Sequence, residues 1–300
     1  MKFVTATYQG RQFVGMIDSM GERVLDIAMA EERRLGKATS PVSLLQCIAL
    51  GAEWAEGARE TLEWAESEGS QCFSPLAAVR LEAPIPRPTK NVMCVGKNYA
   101  EHAIEMGSKD DIPEHIMMFT KSPTAVIGSG ETIPSHKGVA DELDYEGELA
   151  VVIGRKGKEI RREDALDYVF GYTIINDVTA RDLQRRHKQF FIGKSLDGTC
   201  PMGPWILHTS AIDNPNNLNI HTKVNGEVRQ DSNTEQFIFP VEEIISVLSK
   251  GMTLEPGDII ATGTPAGVGK GFKPPKFLQP GDKIEITVEK IGTLSNSVGE

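Results

Sequence analysis

The last two thirds of the chain is a succession of short strand-like segments separated by glycine turns, with few long helical stretches between them. Asn225-Gly226 lies between two alternating segments, which is a strong signal for a two-residue hairpin. Strands that do not alternate regularly with long helices disfavour a doubly wound parallel sheet. We therefore expect a β-rich α+β fold, a barrel or a rolled sandwich with a few helices. The segments read ELAVVIG, FGYTIIND, PWILH, IHTKVNGEVRQ, GDIIATGTP and GDKIEITVEKIG.

The remaining elements suggest two domains. Residues 1–27 contain three short strand-like segments, KFVTATY, QFVGMID and RVLDIA. Residues 41–67 carry helical spacing that begins at Ser40-Pro41, and FPVEEIISVLSKG predicts a helix that ends near Gly251. Three prolines in LEAPIPRPTKN prevent a helix or central strand there. We predict a small N-terminal α+β domain, residues 1–85, and a main domain, residues 86–300.

The composition narrows the class of partner. The net charge is −10 and the pI about 5.2, which argues against nucleic acid because phosphate binding needs a basic face. No apolar run reaches the roughly 20 residues of a membrane helix, and the N-terminus lacks the apolar core of a signal peptide. The four cysteines are widely spaced, which indicates free thiols in a reducing compartment. We expect a cytoplasmic protein.

Two glutamates, Glu146 and Glu148, stand two residues apart at the mouth of the apolar segment LAVVIG. Residues i and i+2 of a strand point to the same face, so the two carboxylates would project together. Two close carboxylates repel unless a cation lies between them, and Mg²⁺ and Mn²⁺ prefer carboxylate oxygens. The alternative is a solvated strand face with two ordinary surface glutamates.

Further charged residues follow two apolar segments. Asp177 ends FGYTIIND, where it can line a site between strands or cap the helix VTARDLQRRH. Arg181 and Gln184 are three apart and share a face of that helix. Lys194 follows the apolar stretch FFIG, and a buried lysine requires a carboxylate or an anionic ligand, although it can equally be a surface lysine.

Taken together, these motifs resemble the fumarylacetoacetate hydrolase family. The similarity rests on Glu146-x-Glu148, Asp177 with Arg181 and Gln184, GKS with Lys194, and GDIIATGTPAGVG, and it runs from about residue 85 to the end. The upstream segment CVGKNYAEHAIEMG is also similar to that family. Within it, TARDLQ, HKQFFIGKSLD, CPMGP and GMTLEPGDIIATGTP resemble the oxaloacetate-decarboxylating branch.

The resemblance implies roles for these residues and a β-roll or sandwich for the catalytic domain. It implies a homodimer, and a lid over residues 95–107 in which His102 and Glu105 form a general-base pair. Lys194 would sit near the substrate. The resemblance further implies that Glu146, Glu148 and Asp177 bind one Mg²⁺ or Mn²⁺, and that Arg181, Gln184 and Thr264 help to hold the substrate.

The chemistry of such a site suits a small 2-oxo acid. A metal that chelates the carboxylate and the keto oxygen stabilises the enolate left when a C–C bond breaks. We predict oxaloacetate decarboxylation first and acylpyruvate hydrolysis, with water activated by His102 and Glu105, second. Isomerisation of an unsaturated 2-oxo diacid is third, and a non-catalytic ligand-sensing or scaffold role is the alternative of another class.

Overall fold

The computed structural model describes all 300 residues, and its first part is a strand and helix assembly that ends at residue 81. Asp26 caps the first helix, since its side chain accepts a hydrogen bond from the N–H of Met29. The elements of this part are β1 Lys2–Tyr8, β2 Arg11–Ile17, β3 Arg23–Asp26, α1 Ile27–Leu35, α2 Leu44–Ala49, α3 Ala52–Ser67, β4 Phe73–Pro75 and β5 Arg80–Leu81.

The rest of the chain is dominated by strands, with four short helices. Its first elements are β6 Val92–Gly96, α4 Ala100–Met106, β7 Met117–Lys121, β8 Val126–Ile127, β9 Thr132–Ile133, β10 Leu143–Asp144, β11 Gly147–Ile153, β12 Val169–Asn176, β13 Thr179–Ala180, α5 Arg181–His187 and α6 Phe191–Lys194. The chain continues with β14 Cys200–His208, β15 Asn219–Val224, β16 Glu227–Asn233, α7 Val241–Ser249, β17 Ile259–Ala261, β18 Lys283–Val288 and β19 Gly292–Val298.

These strands form one large sheet, one smaller sheet and one strand pair. The large sheet has 12 strands along the order β4-β3-β2-β1-β14-β12-β11-β17-β6-β7, with β5 on β1 and β8 on β14. A second sheet of five strands has the order β16-β15-β18-β19-β9, and β10 pairs with β13. Neither sheet closes on itself, so of the two predicted architectures the structure has layered sheets and no closed barrel.

Strand β11 is buried on both faces, which explains its unbroken apolar sequence. Leu149 and Val151 face a core of 35 residues shared with the five-stranded sheet. Ala150 and Val152 face a second core of 25 residues, shared with β1 and the N-terminal helices. Because side chains alternate along a strand, Glu148 lies on the same face as Ala150 and Val152.

Several predicted elements are confirmed and others differ. The hairpin at Asn225-Gly226 joins β15 and β16, with both turn residues at positive φ. The predicted helix over 41–67 is two helices, because Gly51 adopts a φ of +78° and ends the first one. That first helix begins at Leu44 with Ser43 as its cap. The strand predicted in RVLDIA ends at Asp26, and the helix α1 that follows was not predicted.

The N-terminal part continues the large sheet. β1 pairs antiparallel with β14, and Phe3 lies opposite Ile206. The domain boundary near residue 85 stays a prediction. All four cysteines are free thiols, as their spacing indicated, and the structure buries all four. No helix of the structure is long and apolar enough to cross a membrane.

Candidate active site

Three carboxylates meet where strands β11 and β12 run side by side. Glu146 immediately precedes β11, Glu148 is its second residue, and Asp177 directly follows β12. The N–H of Asp177 donates to the carbonyl of Glu146 at 2.8 Å, which holds the two strand ends together. Oxygen atoms of all three side chains lie within 4.8 Å of one another, and all three residues are buried. The surface-glutamate alternative for Glu146 and Glu148 is therefore wrong.

Two lysines contact Glu146 and Asp177 of this cluster. Lys194 Nζ lies 2.6 Å from both Glu146 Oε2 and Asp177 Oδ2. Lys121 Nζ lies 2.7 Å from Asp177 Oδ1 and donates to the carbonyl of Val178. Both lysines are buried, so Lys194 is not a surface residue. Asp177 does not cap the following helix, because α5 begins at Arg181 after an Ala180 cap.

The donor set fits a hard divalent cation. Burial and the charges of Asp177 and Glu146 raise the pKa of Glu148 well above its usual range. Asp177 Oδ1 is buried and accepts no well-directed hydrogen bond, although Lys121 is close. A cation among the carboxylates would offset the repulsion at Glu148 and give Asp177 Oδ1 a partner. Carboxylate oxygens are the ligands that Mg²⁺ and Mn²⁺ prefer.

Arg181 joins the cluster from the first turn of α5. Its Nη2 lies 2.6 Å from Glu146 Oε1, and its Nε lies 2.9 Å from Asp144 Oδ2. Burial opposes the ionisation of Glu146, but Lys194 and Arg181 hold the pKa of that carboxyl below its usual range. Arg181 Nη1 also donates to Gln184 Oε1 at 3.3 Å, as the spacing of these two residues predicted.

His102 and Glu105 lie on one face of helix α4. His102 Nδ1 is 3.4 Å from Glu105 Oε2, and His102 is buried. Glu105 also accepts from the N–H of Gly267, at 3.0 and 3.1 Å to its two oxygens. The glycines of GTPAGVG thus bring backbone N–H groups to carboxylates: Gly263 N–H donates to Glu148 Oε2 at 2.7 Å, and Gly269 N–H to Asp144 Oδ1 at 2.6 Å.

One cavity of about 220 Å³ brings most of the predicted site residues together. His102 lines it together with Glu146, Glu148 and Lys194, while Asp177 lies behind the wall. Thr264 lines it too, where its hydroxyl donates to the carbonyl of Gly147 at 2.9 Å. The remaining lining residues are Val95, Gly96, Lys97, Met106, Met117, Phe119, Arg181, Gln184, Arg185, Phe190 and Lys270.

Three residues around the site were missed from the sequence. Asp144 binds Arg181, and Lys121 contacts Asp177. Gln230 donates to the hydroxyl of Thr264 at 2.7 Å and accepts from the N–H of Gly147. Of the three, only Asp144 could have been recognised from the sequence, because it lies two residues before Glu146 in LDYEGE and continues the spacing of the acidic residues.

Comparison with known proteins identifies the family of this chain. Residues 91–299 match the family model described as fumarylacetoacetate (FAA) hydrolase C-terminal. The chain is 58% identical over 303 residues to oxaloacetate tautomerase YisK of Bacillus subtilis, with both chains fully covered. The fumarylacetoacetate hydrolase of psychrophilic Exiguobacterium antarcticum has a TM-score of 0.84 at 43% identity, over 100% of this chain and 99% of that one.

A second similar solved structure contains a metal ion. Maleylpyruvate hydrolase from Sphingobium sp. SYK-6, in complex with manganese(II) and pyruvate, has a TM-score of 0.77 at 29% identity, covering 100% of this chain and 99% of that one. The chain belongs to the fumarylacetoacetate hydrolase family, which confirms the resemblance and the β-rich fold class predicted from the sequence.

Proposed function

We propose that this chain is a divalent-metal-dependent enzyme that transfers a proton at C3 of oxaloacetate and so interconverts its keto and enol forms. One observation carries the proposal: His102, whose Nδ1 faces Glu105, lines the same cavity as Glu146 and Glu148 of the buried carboxylate cluster. A base and an enolate-stabilising centre are the two parts that such a reaction needs. The 58% identical relative is named for this reaction.

The site residues have separate roles in the proposed reaction. Glu146, Glu148 and Asp177 would hold Mg²⁺ or Mn²⁺, which when bound supplies a Lewis acid that stabilises enolate charge. His102, oriented by Glu105 through Nδ1, would take the C3 proton on Nε2 and give a proton to the C2 oxygen, which forms the enol. The reverse transfer restores the keto form. Arg181 and Lys194 present fixed positive charge to the substrate in a site shielded from water. Gln184 and Thr264 help to hold the substrate.

Oxaloacetate decarboxylation, the reaction ranked first from the sequence, is the second candidate. It needs the same enolate stabilisation but no base, because CO₂ leaves in place of the proton. The buried Lys194 favours it, because a positive charge beside the carboxylate cluster can stabilise the enolate with no help from a base. Acylpyruvate hydrolysis, isomerisation of an unsaturated 2-oxo diacid and a non-catalytic role stay alternatives. The homodimer and the cytoplasmic location stay predictions.

The test follows the enol absorbance of oxaloacetate and the release of pyruvate in parallel. Chelator-treated protein is compared with protein given Mg²⁺ or Mn²⁺, and decay caused by metal alone is subtracted. We expect metal-dependent tautomerisation that is lost in Glu148→Ala and reduced about 10²–10⁴-fold in His102→Asn. Pyruvate release that persists in His102→Asn would assign decarboxylation instead. If neither signal appears with metal bound, the proposal is wrong.

A further inference from the structure

The cavity that holds the carboxylate cluster also has an outer rim of basic side chains. Lys97 lies 3.0 Å from Asp111, and Arg185 lies 2.6 Å from Glu142, so both are already paired. Lys270 also lines the cavity, but its ammonium makes no ion pair or hydrogen bond within the protein. In a chain with a net charge of −10, an unpaired cation beside a cavity marks a place for an anion.

The backbone around Lys270 is held firmly. The N–H groups of Gly269 and Lys270 donate to Asp144 at 2.6 and 3.1 Å, and the N–H of Lys276 donates to the carbonyl of Gly269 at 2.9 Å. Asp144 also binds Arg181 Nε. One buried carboxylate therefore fixes Arg181 and the base of the Lys270 side chain relative to each other.

The charges that face Lys270 disfavour its ammonium form unless an anion is bound beside it. Burial, together with the guanidinium groups of Arg181 and Arg185, lowers its pKa below the usual lysine value. The acidic groups that act in the opposite direction, Asp144 and Glu142, are themselves bonded to those two arginines. A ligand carboxylate would relieve the repulsion among the three cations.

The size of the cavity restricts the ligand. Its volume of about 220 Å³ lies below the roughly 300–1,000 Å³ of sites for drug-sized molecules. Glu146, Glu148 and Lys270 all line this one small cavity, so a small acid inside it can contact both the carboxylate cluster and the rim. Its 2-oxo end would lie beside Glu146 and Glu148, which leaves a second acidic group, when present, to face Lys270.

We propose that Lys270 is a specificity-determining residue that binds the second carboxylate of a 2-oxo diacid, so that the site selects diacids over 2-oxo monoacids. This inference takes only one thing from the proposed function, which is that the substrate is a 2-oxo acid. It does not depend on whether the reaction at C3 is proton transfer or loss of CO₂. Arg185 contributes to the same rim.

The test compares two ligands that share an oxalyl group and differ in the second carboxylate. Oxamate lacks it, and N-oxalylglycine carries it. Calorimetry on the Mn²⁺-loaded protein gives both dissociation constants for wild type, Lys270→Met, Lys270→Arg and the control Lys276→Met. Lys276 lies on the same loop, but its ammonium pairs with Glu227 and it does not line the cavity.

We expect Lys270→Met to weaken N-oxalylglycine about 10–100-fold and to leave oxamate within about twofold, since a charge-assisted hydrogen bond is lost for the diacid alone. Lys270→Arg should retain most of the affinity, and Lys276→Met should match wild type. The role of Lys270 would be overturned if Lys270→Met lost affinity equally for both ligands or lost none. It would also be overturned if wild type bound the two ligands equally well. These outcomes would leave the proposed function standing. Wild type that binds neither ligand would overturn the proposed function as well.

Discussion

Lys121 stands in MMFTKSP, a context that carries no recognisable functional pattern, yet its ammonium is completely buried against Asp177. A buried lysine needs compensation, which the carboxylate of Asp177 and the carbonyl of Val178 provide. Lys194 contacts the other oxygen of Asp177, so the carboxylate is held from both sides. Lys121 therefore orients a proposed metal ligand without lining the cavity.

We predict that Lys121→Met weakens Mn²⁺ binding by roughly 10–100-fold, the usual effect of removing a residue that orients a metal ligand. The isosteric methionine fills the space but leaves Asp177 held from one side only, by Lys194. Titration of chelator-treated protein with Mn²⁺ measures the affinity. The exposed Lys156→Met is the control, and an affinity equal in the two variants would contradict the positioning role.

His208 gives a prediction about pH. Burial, with the nearby Met1 amine, lowers its pKa from 6.5 to about 4, and the rings of Phe3 and Phe170 pack against it. The folded state keeps the imidazole neutral while the unfolded chain takes up a proton, so stability is lost as pH falls from 6.5 towards 4. After allowance for partial exposure, we expect a loss of about 1 kcal/mol between pH 7.5 and 5.0.

Urea unfolding of wild type, His208→Gln and the exposed-histidine control His115→Gln at the two pH values measures this contribution. Wild type and His115→Gln should lose more stability on acidification than His208→Gln. Equal losses in all three proteins would show that His208 is not the group that titrates.

At the residue scale, the sequence predicted the residues that sit in a pattern and missed those that do not. Glu146, Glu148 and Asp177 stand at the ends of apolar strands, where an acid is unusual. The sequence did not show that these three side chains are buried and meet, because this depends on the pairing of β11 with β12. The contacts of Lys121 and Gln230 span long sequence distances and leave no local signal.

At the scale of elements, helix α4 is fastened to the loop that follows β17. Glu105 accepts from the N–H of Gly267, and the same carboxylate faces His102. Gly271 lies so close that a Cβ there would collide with the carboxylate of Glu105. The position of the proposed base thus depends on a glycine that is remote in sequence.

We predict that Gly271→Ala lowers kcat at least tenfold while Mn²⁺ affinity stays within about twofold. The new methyl group displaces Glu105, a flexible side chain, so the cost falls on the orientation of His102 rather than on the fold. Steady-state kinetics and Mn²⁺ titration separate the two effects. Gly251→Ala is the matched control, because a Cβ there has no neighbour within 4 Å. An unchanged kcat in Gly271→Ala would refute this link.

Strands were easier to predict than helices. Alternation or continuous apolar character located β11, β12, β15 and β18 because these strands face one or two cores. Helix α1 was missed because RVLD and IAMAEERRL follow each other without a turn, and Asp26 serves both as the strand end and as the helix cap. The order of the strands in each sheet depends on contacts between distant parts of the chain, so local sequence patterns did not predict it.

At the scale of the whole molecule, the N-terminal part and the catalytic part share a core. Phe3 is completely buried with its ring centroid 5.2 Å from Trp54 and 5.3 Å from Phe170. Val152 of β11, the strand that carries Glu148, belongs to the same core. The parts on either side of the predicted boundary near residue 85 therefore share one of their hydrophobic cores.

We predict that Phe3→Ala costs about 3–5 kcal/mol and lowers the stability of both parts together. Hydrogen exchange read by mass spectrometry compares residues 1–85 with residues 91–299 along a urea series. Both segments should open at the same urea concentration in wild type, and both should shift in the variant. The exposed Met20→Ala should shift neither. Separate opening of the two segments would contradict the shared core.

The pairing of β1 with β14 has a consequence for synthesis on the ribosome. β1 is synthesised well before β14, the strand it pairs with, which ends at residue 208. At about 5–20 residues per second, that partner is made roughly 10–40 seconds later. During this interval β1 presents an open hydrogen-bonding edge and the apolar side chain of Phe3. Chaperone demand and aggregation during translation should therefore depend on how fast residues 85–208 are translated.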